Sequence, residues 1–239
     1  MEYLPNGFTL DLAKGCFPLS TDSVVLAHFA HLPKNARVLD LGSGCGTLGL
    51  LLCARDPGCT VTGVELSPQS HAAAAENIRR NNLEPRLNSI CTDLRTLPPE
   101  FCDGSFHCCV SNPPYFSGGP ASLATPLARR DDCCSPEDLF RSAARALKFG
   151  GDFYLVHKPE KLAQLITCGA AFSLEAKELA LIRHRTGSPV SMILLRFKKG
   201  GKPGLRLFEK SLFDSQNNPT DYFREVYHIQ DAECATHNA

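Results

Sequence analysis

The chain has 239 residues, 43% hydrophobic and 21% charged, with 25 basic and 25 acidic side chains and therefore no formal net charge. That composition is ordinary for a globular protein with a real apolar core, and nothing global in it advertises a nucleic-acid partner. The first ten residues lack the basic start and apolar stretch of a signal peptide, and no apolar run approaches the roughly 20 residues that span a bilayer, so we expect a soluble cytoplasmic protein, monomeric or weakly dimeric, without a membrane partner.

From Arg37 onward, short apolar runs alternate with helical stretches, which predicts a parallel sheet built from βαβ units. Val38–Leu41 reads as a strand entering a glycine-rich turn, and Thr47–Ala54 as the helix after it. Val61–Val64 is a second strand. Ser67-Pro68 then offers a cap and a first-turn proline to an alanine-rich helix that should stop near Asn81-Asn82. Leu87–Cys91 and Phe106–Val110 are the third and fourth strands. Ser135, with Asp138 three residues on, predicts a capping box opening a helix that ends at Gly150-Gly151. Phe153–Val156 is a fifth strand, and Leu179–Ile182 with Met192–Phe197 an antiparallel pair joined through Gly187-Ser188-Pro189. Nothing resembles an interdomain linker.

Asp40-Leu41-Gly42-Ser43-Gly44-Cys45-Gly46 ends the first strand. Its glycines permit a tight turn and bring backbone amides close to a ligand. Gly44, Gly46 and Gly49, with Glu65 21 residues after Gly44, also fit a dinucleotide fingerprint, so a nicotinamide or flavin oxidoreductase is a rival on this motif alone. Charge separates the two. Asp40 would repel a pyrophosphate, whereas it would attract the ammonium and sulfonium of S-adenosylmethionine. Glu65 suits the ribose hydroxyls of either cofactor.

Ser111-Asn112-Pro113-Pro114-Tyr115-Phe116 follows the fourth strand. An aromatic amino group is a poor nucleophile because its lone pair is delocalised into the ring. Two acceptors on its hydrogens, the Asn112 side-chain oxygen and the Pro113 carbonyl, would localise that pair. Pro113 and Pro114 rigidify the turn, and Tyr115 offers a face on which an extruded base can stack. No charged general base is needed, since the nitrogen loses its proton after methyl transfer.

The Asn-Pro-Pro-Tyr stretch resembles that of amino-group methyltransferases acting on adenine, guanine or protein glutamine. Over nearly its whole length the chain resembles the bacterial tRNA(Val) (adenine-37-N6)-methyltransferase family, from 17–23 through 112–116 to Ala128-Arg129-Arg130. The resemblance implies a Rossmann-like class I methyltransferase fold: an α/β domain with a mostly parallel seven-stranded sheet, an antiparallel last strand and helices on both faces. It implies one domain over 1–239, with an N-terminal extension (1–35), a catalytic core (36–197), and a basic hairpin and tail (198–239). By the same resemblance, Ser20, Thr21 and Asp22 lie against the methionine part of the cofactor. Asp40, Gly42, Gly44, Gly46, Glu65 and Leu66 line the rest, Asp93 sits near its adenine, and Phe116 lines the base pocket. Two positions depart from the family's pattern: Ser20 replaces a common glycine, and Arg129-Arg130-Asp131 replaces an Arg-His-Glu-like stretch.

Leu181 to Lys210 carries eight Lys or Arg against one acid, Glu209. This run is either a phosphate-contacting surface, with Lys198, Lys199 and Lys202 as candidate contacts for tRNA or another structured RNA, or a solvated hairpin. Twelve cysteines include no C-x-x-C pair, and the neighbours Cys108 and Cys109 point to opposite faces of a strand, so we expect idle thiols and no metal. Three other readings compete: a same-fold enzyme acting on glutamine or guanine N2, a catalytically silent RNA-binding module, and the oxidoreductase.

Overall fold

The computed structural model describes residues 2–4, 7–12, 19–113 and 134–228. Two short strands, β1 (Glu2–Tyr3) and β2 (Thr9–Leu10), pair antiparallel. Helix α1 (Thr21–Phe29) starts at Ser20, whose hydroxyl accepts from the Ser23 amide and so satisfies one of the helix's unpaired N–H groups. Strand and helix then alternate through β3 (Arg37–Leu41), α2 (Thr47–Arg55), β4 (Thr60–Glu65), α3 (Pro68–Arg80), β5 (Leu87–Cys91), β6 (Phe106–Ser111), α4 (Pro136–Ala146), β7 (Leu147–His157), α5 (Leu162–Ala171) and β8 (Leu174–Arg185). The chain ends in β9 (Val190–Lys199), β10 (Arg206–Phe213) and α6 (Asp221–Val226). The expected caps form: Ser67 accepts from Ser70 N, and Ser135 and Asp138 make a reciprocal capping box.

The main sheet has eight strands in the order β10-β8-β9-β7-β6-β3-β4-β5. Seven of them give the expected mostly parallel arrangement with an antiparallel final strand, β9. The eighth, β10, was not foreseen. It pairs parallel with β8 from Arg206↔Glu178 to Phe213↔Arg185, so this part of the C-terminal segment extends the sheet instead of standing off as a hairpin. A second correction concerns Gly150-Gly151. The helix before them ends at Ala146, and the glycines lie inside β7, where the register against β6 shifts between Phe106↔Leu147 and Cys108↔Asp152. Gly150, at φ 76°, takes a left-handed conformation that suits a bulge as well as it suits a helix stop.

Side chains alternate across the sheet into two apolar clusters. Val38, Cys108, Val110, Tyr154 and Val156 pack on the face of α1 and α2. Leu39, Leu41, Cys109, Phe153 and Leu155 pack on the face of α4 and α5. Cys108 and Cys109 therefore do face opposite ways. The order of strand addition reverses at β3, which is parallel to both neighbours: β4 and β5 run off one side of it, β6 and β7 off the other. Such a switch point opens a crevice beyond the carboxyl ends of the strands.

Candidate functional site

The crevice is walled by the turn after β3. Gly42, Gly44 and Gly46 all have positive φ (77°, 56° and 86°), a conformation that costs other residues free energy. Two of the turn's amides, Gly42 N and Ser43 N, donate to Val64 O at 2.9 and 3.0 Å. Glu65, one residue further along β4, holds the turn with its side chain. Its Oε2 accepts from Gly44 N at 2.8 Å and its Oε1 from Ser67 N at 2.7 Å.

Asp40, near the end of β3, is only 1% exposed, and neither carboxylate oxygen has a hydrogen-bond partner among the described residues. Burial, reinforced by the negative charge of Glu65, pushes its carboxyl up to about 8. A buried carboxylate without partners is costly, and the described residues around it offer no cation, so the position fits a cationic ligand. That fit is the structural test of the S-adenosylmethionine expectation: a bare acid beneath a glycine turn suits an ammonium and opposes a pyrophosphate.

Across the switch point, β6 ends in Ser111, and Asn112 follows it. Ser111 is fully buried and its hydroxyl donates to Leu41 O at 2.7 Å, fastening the two strand ends together. Asn112 Nδ2 donates to Ser23 Oγ on α1 at 2.9 Å, and Pro113 is buried behind it. Pro114, Tyr115 and Phe116 lie outside the described residues. The opening turn of α1 joins the same neighbourhood. The Tyr227 hydroxyl donates to Thr21 Oγ1 at 3.3 Å, and burial raises the Asp22 carboxyl while Lys158 opposes the shift. Leu66 stands 48% exposed on the rim beside Glu65.

Other predicted residues go elsewhere. Asp93 caps the short turn Leu94–Thr96 through Arg95 N and forms an ion pair with the Arg95 guanidinium at 2.6 Å, which lowers its carboxyl. Lys198, Lys199 and Lys202 are not brought to the crevice. β9 runs against its neighbours, so Lys198 stands opposite Asp152 midway along β7, and Ile193 stands opposite His157 at the carboxyl end. The lysines, from Lys198 onward, thus lead away from the strand ends that carry Asn112. Lys198 Nζ donates to Gly150 O at 2.9 Å and Lys199 Nζ to Leu147 O at 2.7 Å. Half of the basic run is paired with acids: Arg196 faces Asp152 and Glu178, Lys198 faces Asp152, Arg206 pairs with Glu178, and within the run Arg183 pairs with Glu209. The geometry thus separates those three lysines from the crevice and leaves the phosphate-contact reading of them an expectation.

Sequence reading passed over Ser23, Ser111 and Asn77. Buried Asn77 donates to Asp11 O and Cys45 O and accepts from Asp11 N, tying the N-terminal segment to the glycine turn. An Asn inside an alanine-rich helix, a poor helix former there, was the available signal. Among the described residues no group of three or more His, Cys, Asp or Glu could hold a metal, and no helix is long and apolar enough to cross a membrane.

Residues 20–172 match the family model of the methyltransferase small domain. The tRNA1(Val) (adenine(37)-N6)-methyltransferase of Aeromonas hydrophila is 30% identical over 197 residues, covering 81% of each chain. The protein of the same name from Bacteroides fragilis is 28% identical over 195 residues, 80% of this chain and 81% of its own. Among solved structures, a predicted O-methyltransferase from Agrobacterium tumefaciens superposes with a TM-score of 0.72 at 22% identity, covering 87% of this chain and 96% of its own. A geranyl diphosphate methyltransferase in complex with S-adenosylmethionine superposes at 0.55 with 15% identity, covering 74% and 84%.

Proposed function

Because the chain belongs to the methyltransferase small domain family and is an S-adenosylmethionine-dependent methyltransferase, we propose that its acceptor is the exocyclic N6 of an adenine in tRNA, at the base beside the anticodon. The observation that carries this reading is the placement of Asn112-Pro113 at the carboxyl end of β6, bolted by Ser111 to the end of β3 where the glycine turn begins. An amino-group clamp and a cofactor turn then face one crevice.

In this reading Asp40 pairs with the cofactor ammonium, the amides of the Gly42–Gly46 turn line its path, and Glu65 accepts from the ribose hydroxyls. Glu65 uses two acceptor directions on the turn, and a carboxylate has about four, so two remain for the ribose. Leu66 offers an apolar edge to the adenine. Ser20, Thr21 and Asp22 bound the methionine end, and Asp93 serves as a turn cap. When bound, S-adenosylmethionine supplies a methyl group carried on a sulfonium. Asn112 Oδ1 and the Pro113 carbonyl accept the two hydrogens of the adenine amino group, which localises the nitrogen lone pair and aims it. The amino nitrogen so held would accept that methyl group and would then release one proton to water. Pro114 stiffens the turn, Tyr115 stacks on the extruded base and Phe116 lines its pocket. Rate comes from alignment and fixed dipoles. Exposed Lys158, just after β7, and Arg185, at the end of β8, lie at the crevice end of the sheet, where a tRNA backbone entering the crevice would meet them.

The test is incubation with labelled S-adenosylmethionine and total tRNA from a strain lacking the protein, followed by mass mapping of nucleosides. Label in N6-methyladenosine at the base beside the anticodon is the expected result. Label confined to protein or to guanine overturns the reading.

A further inference from the structure

Asparagine presents an oxygen and an amino group of nearly the same shape, and a half-turn about its last torsion exchanges them. An adenine amino group needs the oxygen. An amide turned the wrong way would set two donors against each other, so something in the fold must decide which end faces the substrate.

We propose that Ser23 is the positioning residue that makes this decision, by accepting the Asn112 amide so that Oδ1 is left facing the crevice; the proposal rests on the reading of Asn112 as the amino-group acceptor. Asn112 Nδ2 lies 2.9 Å from Ser23 Oγ, and an amide nitrogen can only donate. Ser23 Oγ lies 3.3 Å from Ser20 Oγ, the cap oxygen that also accepts from Ser23 N. Either hydroxyl can be the donor in the Ser20–Ser23 pair, and in both cases Ser23 Oγ keeps an acceptor lone pair for the Asn112 amide. Ser23 is 7% exposed, so water competes poorly for these bonds. Its helix is firmly held. Val24, Val25 and Leu26 are buried, and the Arg55 guanidinium donates to the carbonyls of Ala27, His28 and Ala30 at the helix end. The residue that orients the amide thus sits on a rigid element, directly after the Ser20–Asp22 segment assigned to the cofactor.

The experiment is a double-mutant cycle read by single-turnover methylation of unmodified tRNA, with cofactor affinity measured by calorimetry. Ser23→Ala should slow methyl transfer about tenfold, the effect of one lost hydrogen bond of typical strength, and leave S-adenosylmethionine affinity and the KM for tRNA unchanged. Ser23→Thr keeps the hydroxyl and should retain most of the rate. In an Asn112→Ala background, Ser23→Ala should alter the residual rate by less than about twofold, because the side chain it orients is gone. Should Ser23→Ala unfold, Ser23→Cys, nearly isosteric and a weak acceptor, carries the same expectation. A full rate in Ser23→Ala, or a tenfold loss that multiplies undiminished onto Asn112→Ala, overturns the positioning role. A normal rate in Asn112→Ala alone overturns the functional reading instead.

Discussion

Asp40 and Glu65 lie at the ends of adjacent parallel strands, and among the described residues only the Glu65 carboxylate has hydrogen-bond partners. Gly44 N and Ser67 N satisfy its two oxygens, whereas those of Asp40 are buried and unpaired beside it. One acid therefore braces the turn while the other waits beneath it for a positive charge, and each makes a distinct prediction.

Burial holds the Asp40 carboxyl at about 8 against an ordinary 3.8. The group is largely protonated in the ligand-free protein at pH 7 and must ionise to meet an ammonium. Cofactor binding at pH 7 should release close to one proton, and affinity should rise by up to about tenfold per pH unit until it levels off above pH 8. A raised carboxyl favours the unfolded chain once ionised. Its contribution to stability is therefore most favourable below about pH 4 and is lost progressively as pH rises towards 8. Calorimetry in buffers of different ionisation heat measures the proton, and urea unfolding at pH 5.5 and 8.5 measures the stability. Asp40→Asn should abolish both dependences.

Glu65→Ala should weaken S-adenosylmethionine binding by roughly 1.5–3 kcal/mol for each charged hydrogen bond lost to the ribose. It should also loosen the turn by freeing Gly44 N and Ser67 N. Calorimetry showing wild-type affinity would contradict the placement of the ribose on Glu65, and preferential binding of a nicotinamide dinucleotide would revive the oxidoreductase.

Asn112→Ala removes a fixed acceptor used most strongly in the transition state, so turnover should fall ~10²–10³-fold with cofactor affinity within a few-fold. Tyr115→Ala should instead weaken capture of the base by about 1–3 kcal/mol, and Tyr115→Phe should keep most activity. Single-turnover methylation of tRNA by the three variants separates these roles.

The two ends of the sheet should respond differently to salt. Replacing Lys158 and Arg185 by Ala should flatten the salt dependence of tRNA binding, with the slope changing by about 1 per lost phosphate contact. Lys202→Ala, at the far end, should leave that slope unchanged. Lys198→Ala should act on stability instead, since its ammonium serves Gly150 O and Asp152. Filter binding across a salt series distinguishes the ends, and an equal effect from both would spread the RNA over the whole edge.

Asn77→Ala leaves Asp11 N, Asp11 O and Cys45 O without their partner and should cost about 2–4 kcal/mol of stability by urea unfolding. Full stability would mean that water replaces the amide there.

The alternation of strands and helices, the Ser67 and Ser135 caps, the turn after Asp40 and the separation of Cys108 from Cys109 were legible in the sequence. Each is written in a local period, a cap or a short spacing, and β3 to β6 needed no distant partner to be recognised. Gly150-Gly151 was misread because a left-handed glycine serves a bulge as readily as a helix stop, and only the pairing of β7 with β6 distinguishes the two. The tertiary structure alone decided what the charges do. Lys198 and Lys199 lie in a run that looks cationic, but their carbonyl and carboxylate partners come from β7, about 50 residues earlier in the chain. The direction of β9 carries them away from Asn112. The orientation of Asn112 was likewise beyond sequence reading, since its partner Ser23 lies 89 residues away on another element. Local patterns specify backbone conformation; the pairing of polar groups depends on which distant segments the apolar core brings together.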